Sequence, residues 1–324
     1  KKMSKSLGNV VDPWVMMEKY GVDTLRLWMY SVNQPGESKN FDEKTVMLLH
    51  QQVFGLLYNV LAFYELYKED PTLRPPLTKG RVGEGSNILD QWILARLDEL
   101  IKLSTENLDN YKLLEPVRGM RDFIGDLSTW YLRRSRDRIK EGDKDAKQTL
   151  YFVLKTIAKL MAPFAPFTAE DIWLKLRTEA DEKSVHLTEW PKISKGLFEI
   201  FGPSQTKILE KMQTVREIVS LGLKERQKAG IPVRQPLSML KFKVESGKFS
   251  SEYIDLVKDE LNVKEVVFDN SILNNLELDT NITPELKQEG DYRELARALQ
   301  DILLCNLFRK QTLLLLPVLP ICLP

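Results

Sequence analysis

The feature that most constrains this chain is an apolar spacing of three and four residues that returns several times through its middle. Val46, Leu49, Val53, Leu56, Leu57, Val60, Leu61 and Tyr64 fall on one face of a helix. After a Pro- and Gly-rich segment from Asp70 to Ser86, Leu89, Trp92, Ile93, Leu97, Leu100, Ile101 and Leu108 repeat the pattern. A third helix is expected from about Glu115 to Lys140, and a fourth from about Asp145 to Met161. Pro163 and Pro166 end the fourth, and Thr168 is placed to cap a short helix through Trp173. No such helix can bury its stripe alone, so four antiparallel amphipathic helices imply a bundle.

The flanks differ. Residues 1–12 are polar, carry Gly8 and Asn9, and read as a loop ending at Asp12-Pro13. A helical stretch covers 13–30, with Pro13 in its first turn behind Asp12 as cap and an interruption near Gly21. Beyond the bundle, a helix from about Ser204 to Lys228 stops at Gly230. Leu240–Val244 alternates as a strand does, Glu252–Leu261 reads as a helix, and Val263–Phe268 and Leu276–Asp279 read as strands. A helix over roughly Pro284–Ile302 closes this part. The expected fold is mainly α, an antiparallel helix bundle followed by a small α+β domain. The expected divisions are 1–43, 44–200, 201–302 and a tail, 303–324. That tail is mostly apolar, interrupted by prolines, and too short and broken for a membrane span. A shifted reading frame and a docking segment are both open explanations of it. The chain opens on Lys1 with a recognisable motif already at residue 2, which reads as a piece of something longer.

Among 324 residues, 47 Lys and Arg face 46 Asp and Glu, a net charge of +1. Bulk charge therefore cannot hold this chain to a polyanion, and any such site must be a local cluster. The two cysteines, Cys305 and Cys322, and two histidines, His50 and His186, are too few for a disulfide framework or a four-thiolate zinc site. No metal site is expected.

Two local clusters exist. From Arg133 to Lys140 there are five cations and one anion, a local charge of +4. On a helix, Met120, Phe123, Ile124, Leu127, Trp130 and Tyr131 share a seam that Arg134 and Arg138 continue, while Arg133, Arg136 and Lys140 lie round the other side. Guanidinium forks suit phosphate. By residues alone, macrodipole and carboxylate pairing explain the cluster as well as RNA does, and Trp130 and Tyr131 suit a core better than base stacking. From Lys224 to Arg234, four cations and one anion give +3 around a loop stiffened by Pro232 and Pro236, a helix-to-strand connector on physical grounds.

The start carries a third signal. Lys2-Met3-Ser4-Lys5-Ser6, then Leu7-Gly8-Asn9, sets two ammonium groups and two hydroxyls on a short loop suited to polyphosphate. On chemistry alone a solvated tail is the commoner origin of such a string. The string nevertheless resembles the signature loop of class I aminoacyl-tRNA synthetases. Asn9-Val10-Val11-Asp12-Pro13, Tyr20-Gly21-Val22-Asp23 and Leu25-Arg26 resemble the segment that follows it in that family. Residues 89–140 resemble the anticodon-binding bundle of the branched-aliphatic members, and Trp130-Tyr131-Leu132-Arg133-Arg134-Ser135-Arg136 is most similar to the isoleucyl branch. Met161 to Phe167 with Ala169 to Trp173, His186-Leu187 before Trp190-Pro191, and Leu278 to Leu286 extend the resemblance. His186 is expected to be structural, and His50 to lack a catalytic partner.

The resemblance implies isoleucine–tRNA ligase activity in an intact enzyme, with ATP and Mg²⁺ as substrate and companion. Lys5 and Lys2 would be the catalytic pair, Lys2, Met3, Ser4, Lys5 and Ser6 the ATP loop. Trp130, Arg133, Arg134, Arg136, Arg138 and Arg234 would meet tRNA(Ile). Isoleucine would bind an upstream domain absent from these residues, so the chain alone is expected to be inactive. A cytoplasmic monomer with no membrane partner is the implied setting. A valyl, leucyl or methionyl enzyme, a non-catalytic tRNA-binding module and a helical scaffold without RNA stay open.

Overall fold

A computed structural model describes residues 3, 6, 10–34, 36–68, 87–193, 195–243, 249–272 and 274–314; for 195–204, 300, 301 and 303–314 it describes the backbone only. The chain divides into two compact units, Lys1–Leu209 and Glu210–Pro324. Mainly α architecture is what the apolar spacing requires, and it is what the chain adopts.

In the first unit, α1 (Pro13–Tyr20) is capped by the Asp12 carboxylate, which accepts from Trp14 N at 2.9 Å. Gly21, at φ +83°, breaks the helix before α2 (Val22–Ser31). Helix α3 (Glu43–Leu49) is capped by Asp42, widens into a π turn at His50–Gly55, and continues as α4 (Leu56–Tyr67). Helix α5 (Ile88–Asp109) starts from an Asn87 cap. Helix α6 (Leu114–Asp126) passes through a second π turn, Leu127–Leu132, into α7 (Arg133–Lys140). Helices α8 (Lys144–Met161) and α9 (Pro166–Leu176) close the bundle. Val53, Leu57, Trp92, Ile93, Leu127 and Trp173 are fully buried at its centre. Glu43–Tyr67 is long and apolar enough to cross a membrane. Its buried residues Val46, Leu49, Val53, Leu57 and Val60 fill the bundle core, which accounts for the apolarity by packing.

Two departures from the sequence reading matter. The two π turns were not legible as such: apolar spacing over 46–64 and 120–131 reads as unbroken α-helix, whereas each π turn inserts extra residues and rotates the following helix. The cap of α9 is also not Thr168. The helix begins at Pro166, whose fixed φ and absent N–H suit the first position. Thr168 lies inside the first turn and donates its backbone N–H to Oδ2 of Asp23 at 2.6 Å, so the helix start is capped from α2.

The second unit contains the end of α10 (Lys195–Lys228), which begins nine residues before the expected Ser204. Strand β1 (Leu237–Phe242) is central, parallel to β2 (Val263–Phe268) and antiparallel to β3 (Leu276–Leu278). It starts earlier than the expected 240, directly after Pro236, where ladder pairing first becomes possible. Val244 lies outside the described residues. Helix α11 (Ser251–Leu261) packs on β2, and α12 (Pro284–Leu314) runs past the expected Ile302.

One cap is strained. At the end of α5, Lys112 N donates to Asn107 O at 2.8 Å and Tyr111 N to Leu108 O at 3.0 Å, the Schellman pattern. Its left-handed residue is Tyr111, at φ 57° and 90% exposed, where glycine is the unstrained choice. Tyr111→Gly is therefore expected to raise stability by roughly 0.5–1 kcal/mol, after the entropy lost by glycine is offset. A urea titration reads it as a higher midpoint; a lower one contradicts the strain.

Candidate nucleic-acid interface

Lys2, Ser4 and Lys5 lie outside the described residues, as do Leu7, Gly8 and Asn9. Met3 and Ser6 are exposed. Downstream, the string from Tyr20 to Arg26 has a structural reason at nearly every position. Tyr20 donates to Glu43 at 2.9 Å, beside a Lys19–Glu43 ion pair. Thr24 Oγ1 lies 3.0 Å from Nδ1 of His50 and donates to Tyr20 O at 2.6 Å. Asp23 caps α9, and Arg26 donates to the carbonyls of Phe164 and Pro163. Trp28 Nε1 donates to Thr45 at 2.8 Å. These bonds tie α1 and α2 to the bundle. His50, far from idle, is one of the ties. His186 is exposed in a short 3₁₀ turn, its backbone N–H donating to Ser184.

The basic helix divides its arginines. Asp90 sits on the inner face of α5, 1% exposed, where an ionised carboxylate needs a partner. Arg138 supplies it, with Nη2 at 2.7 Å from Oδ2 of Asp90, and its Nε donates to Asp143 at 2.9 Å. Tyr131, fully buried, donates to Oδ1 of Asp90 at 2.7 Å. Burial opposes charge on Arg138, but hydrogen bonding and attraction to Asp90, then Asp143, more than offset it and its pKa is raised. Burial likewise works against the Asp143 carboxylate, yet the Ala146 N–H and the Arg138 guanidinium hold it below the usual range. Burial, with Asp90 next to it, pushes the Tyr131 hydroxyl up.

Arg138 is thus ion-paired with Asp90 and Asp143 while its side chain stays 24% exposed, so a structural role accounts for its position. Arg133 and Arg136 are exposed, as is Lys140, and Arg134 is half-buried. Arg133 Nε donates to Thr129 O at 2.9 Å, and Arg136 lies over the Phe63 ring at 5.3 Å, so both are oriented without being covered. Trp130 is half-buried at the π turn, beside the fully buried Tyr131. Of these neighbours within the π turn, Tyr131 points inward to Asp90.

Arg234, in the second unit, is exposed; Asn262 Nδ2 donates to its backbone carbonyl at 3.0 Å. Sequence reading passed over Asp90, Asp143, Arg226 and Asn262. For Asp90 a signal existed: a lone carboxylate between Leu89 and Ile93 on an apolar face requires a buried cation. Among the described residues, no three His, Cys, Asp or Glu side chains are grouped to hold a metal.

Comparison with known proteins now has geometry to attach to. Residues 1–42 match the family described as tRNA synthetases class I (I, L, M and V), and residues 90–241 that described as the anticodon-binding domain of tRNA ligase. Isoleucine–tRNA ligase of Clostridium novyi (strain NT) is 38% identical over 301 residues, 90% of this chain and 28% of that protein. That of Chlamydia muridarum (strain MoPn / Nigg) is 40% identical over 276 residues, 82% of this chain and 26% of that protein. Among solved structures, a ternary complex of Agrobacterium radiobacter K84 agnB2 LeuRS with tRNA and LeuAMS is similar at a TM-score of 0.44 and 22% identity, covering 61% of this chain and 23% of that one. The chain thus spans about 28% of the length of the first of these relatives.

The clamp makes a sharp stability prediction. Arg138→Ala leaves Asp90 buried without its cation and is expected to cost about 3 kcal/mol. Because the Asp143 pKa is lowered on folding, its contribution is full above the unfolded carboxylate value, about pH 4, and fades as pH falls through the folded value. Urea midpoints should therefore show a smaller loss between pH 7 and pH 3 in Asp143→Asn than in the parent; an equal loss contradicts the pairing.

Proposed function

The chain belongs to the class I aminoacyl-tRNA synthetases, and from this we propose that it is the C-terminal part of an isoleucine–tRNA ligase, carrying the phosphate-binding loop and the region that grips tRNA(Ile). The observation that carries the reading is the division of labour on α7. The half-buried Arg138 is committed to the buried Asp90, which ties the helix to α5 while Arg133 and Arg136 stay exposed.

In the intact enzyme, isoleucine attacks the α-phosphate of ATP and pyrophosphate leaves, after which the acyl group passes to the 3′ end of the tRNA. Lys5, with Lys2, would place positive charge against the phosphates as charge develops on the leaving group. Ser4 and Ser6 would add short donors and Met3 would complete the loop, with Mg²⁺ accompanying the ATP. The ties from Tyr20, Asp23, Thr24 and Arg26 support this by holding α1 and α2, which follow the motif in sequence, to the bundle. Arg133 and Arg136, with Arg134 and Trp130 at their flank, would hold the anticodon stem-loop by fork-shaped contacts to phosphate. Arg234 would add a further phosphate contact. The ligase would work as a cytoplasmic monomer, its isoleucine pocket on a part of the enzyme outside these residues.

Binding of a tRNA(Ile) transcript across 50–200 mM salt tests the interface. Affinity should fall steeply with salt, and Arg133→Gln and Arg136→Gln should each flatten the log–log slope by roughly one without moving the urea midpoint. Parent-like slopes in both variants would contradict the interface. For the loop, Lys5→Ala in a full-length ligase should lower kcat for isoleucine-dependent ATP–pyrophosphate exchange about 100-fold, with a much smaller change in KM. A loss confined to KM would place Lys5 in ground-state binding instead.

A further inference from the structure

The second unit contains a buried arginine with no carboxylate. Arg226, near the end of α10, is 1% exposed, and among the described residues its guanidinium meets only backbone carbonyls. Its Nη1 donates to Pro232 O at 3.1 Å and Gln235 O at 2.9 Å, and its Nη2 to Asn262 O at 3.0 Å. Burial pushes its pKa down to about 10, which leaves it charged at neutral pH. Burying a guanidinium against dipoles alone is costly, and a helix-to-strand connector can be held by apolar packing without it.

What the charge achieves is visible in the loop. Asn262 adopts the left-handed conformation, φ 48°, and its Nδ2 donates to Val233 O at 2.9 Å and Arg234 O at 3.0 Å. Its Oδ1 accepts from Arg293 at 2.7 Å. Four successive carbonyls, 232–235, are thus held by two side chains, the outer pair by buried Arg226 and the middle pair by Asn262 nearer the surface. Gln235 N closes a turn onto Pro232 O at 3.0 Å, and its side chain donates to Leu286 O at 2.7 Å. With its carbonyls held in this way, the loop exposes Pro232, Val233 and Arg234 to solvent. The Arg234 guanidinium makes no hydrogen bond or ion pair with a described residue, and Lys224 is exposed on α10.

We propose that Arg226 and Asn262 are positioning residues that hold 232–235 as a preformed mount for Arg234, and that this mount docks on an RNA phosphodiester backbone. A mount rigid before contact spares the ordering cost that a flexible loop would incur on binding. The planar fork of Arg234 matches phosphate, and the exposed Lys224 on α10 adds a second cation to this unit rather than an acidic neighbour. The proposal rests on the tRNA-binding reading and adds to it the residues that make Arg234 effective.

A double-mutant cycle on the full chain tests it, with a tRNA(Ile) transcript as probe and urea midpoints as a check on folding. Arg234→Gln should weaken binding about tenfold at low salt and flatten the salt slope by roughly one. Asn262→Gly keeps a residue suited to φ 48° while removing the two side-chain bonds to the loop. It and Arg226→Lys should each weaken binding at least threefold in the parent, and add no further loss in the Arg234→Gln background. Should Arg226→Lys fail to fold, Asn262→Gly carries the cycle. Parent-like binding by Arg234→Gln, or losses that add in full, would overturn the mount while leaving tRNA binding intact. Absence of any salt-sensitive binding by the parent would instead remove the tRNA reading on which the mount depends.

Discussion

The first unit depends on a buried carboxylate. Asp90, on the inner face of α5, is tolerable only because Arg138 and Tyr131 reach it. Those two side chains stand about two turns apart on one composite helix, and Asp143, which caps α8, joins through the same guanidinium. Three helices are thereby fixed in rotation about their axes by a charge that cannot be left alone. Apolar packing tolerates sliding and rotation; a bidentate ion pair with a tyrosine on its third lone pair does not. The outward aim of Arg133 and Arg136 follows from this inward commitment of Arg138.

The π turn at Leu127–Leu132 is the geometric counterpart of that clamp. It widens the helix by extra residues where Trp130 and Tyr131 stand side by side, and lets only the tyrosine into the core. The second wide turn, at His50–Gly55, lies where His50 meets Thr24, so it too falls where the bundle is tied to another element. Wide turns of this kind often mark functional positions. In this chain both sit where a buried polar contact sets helix phase.

Much of this was legible from residues. The helices of the bundle are written in apolar spacing, and the Asp12-Pro13 start and Gly21 break of the first two helices in local turn chemistry. Strand β2 and helix α11 fall where alternation and periodicity place them. What escaped is tertiary. Spacing alone does not show that a helix will widen, that Asp23 rather than Thr168 will cap α9, or that β1 begins at Leu237 because its parallel partner begins at Val263. The basic run was legible as a cluster but not as a division of roles, because the decision between inside and outside was made by Asp90, forty-eight residues from Arg138 in sequence. The same holds for Arg226, whose sequence neighbours give no hint that three carbonyls will converge on it.

The central claim is that guanidinium groups of the two basic clusters are sorted into those that build the protein and those that meet RNA. Arginine-selective modification read by mass spectrometry, with and without a tRNA(Ile) transcript, measures that sorting residue by residue. The account predicts that Arg138 and Arg226 react slowly in both states, while Arg133, Arg136 and Arg234 react readily alone and are protected by the RNA. Rapid modification of Arg138 in the free protein, or outward arginines whose reactivity tRNA leaves unchanged, would contradict it.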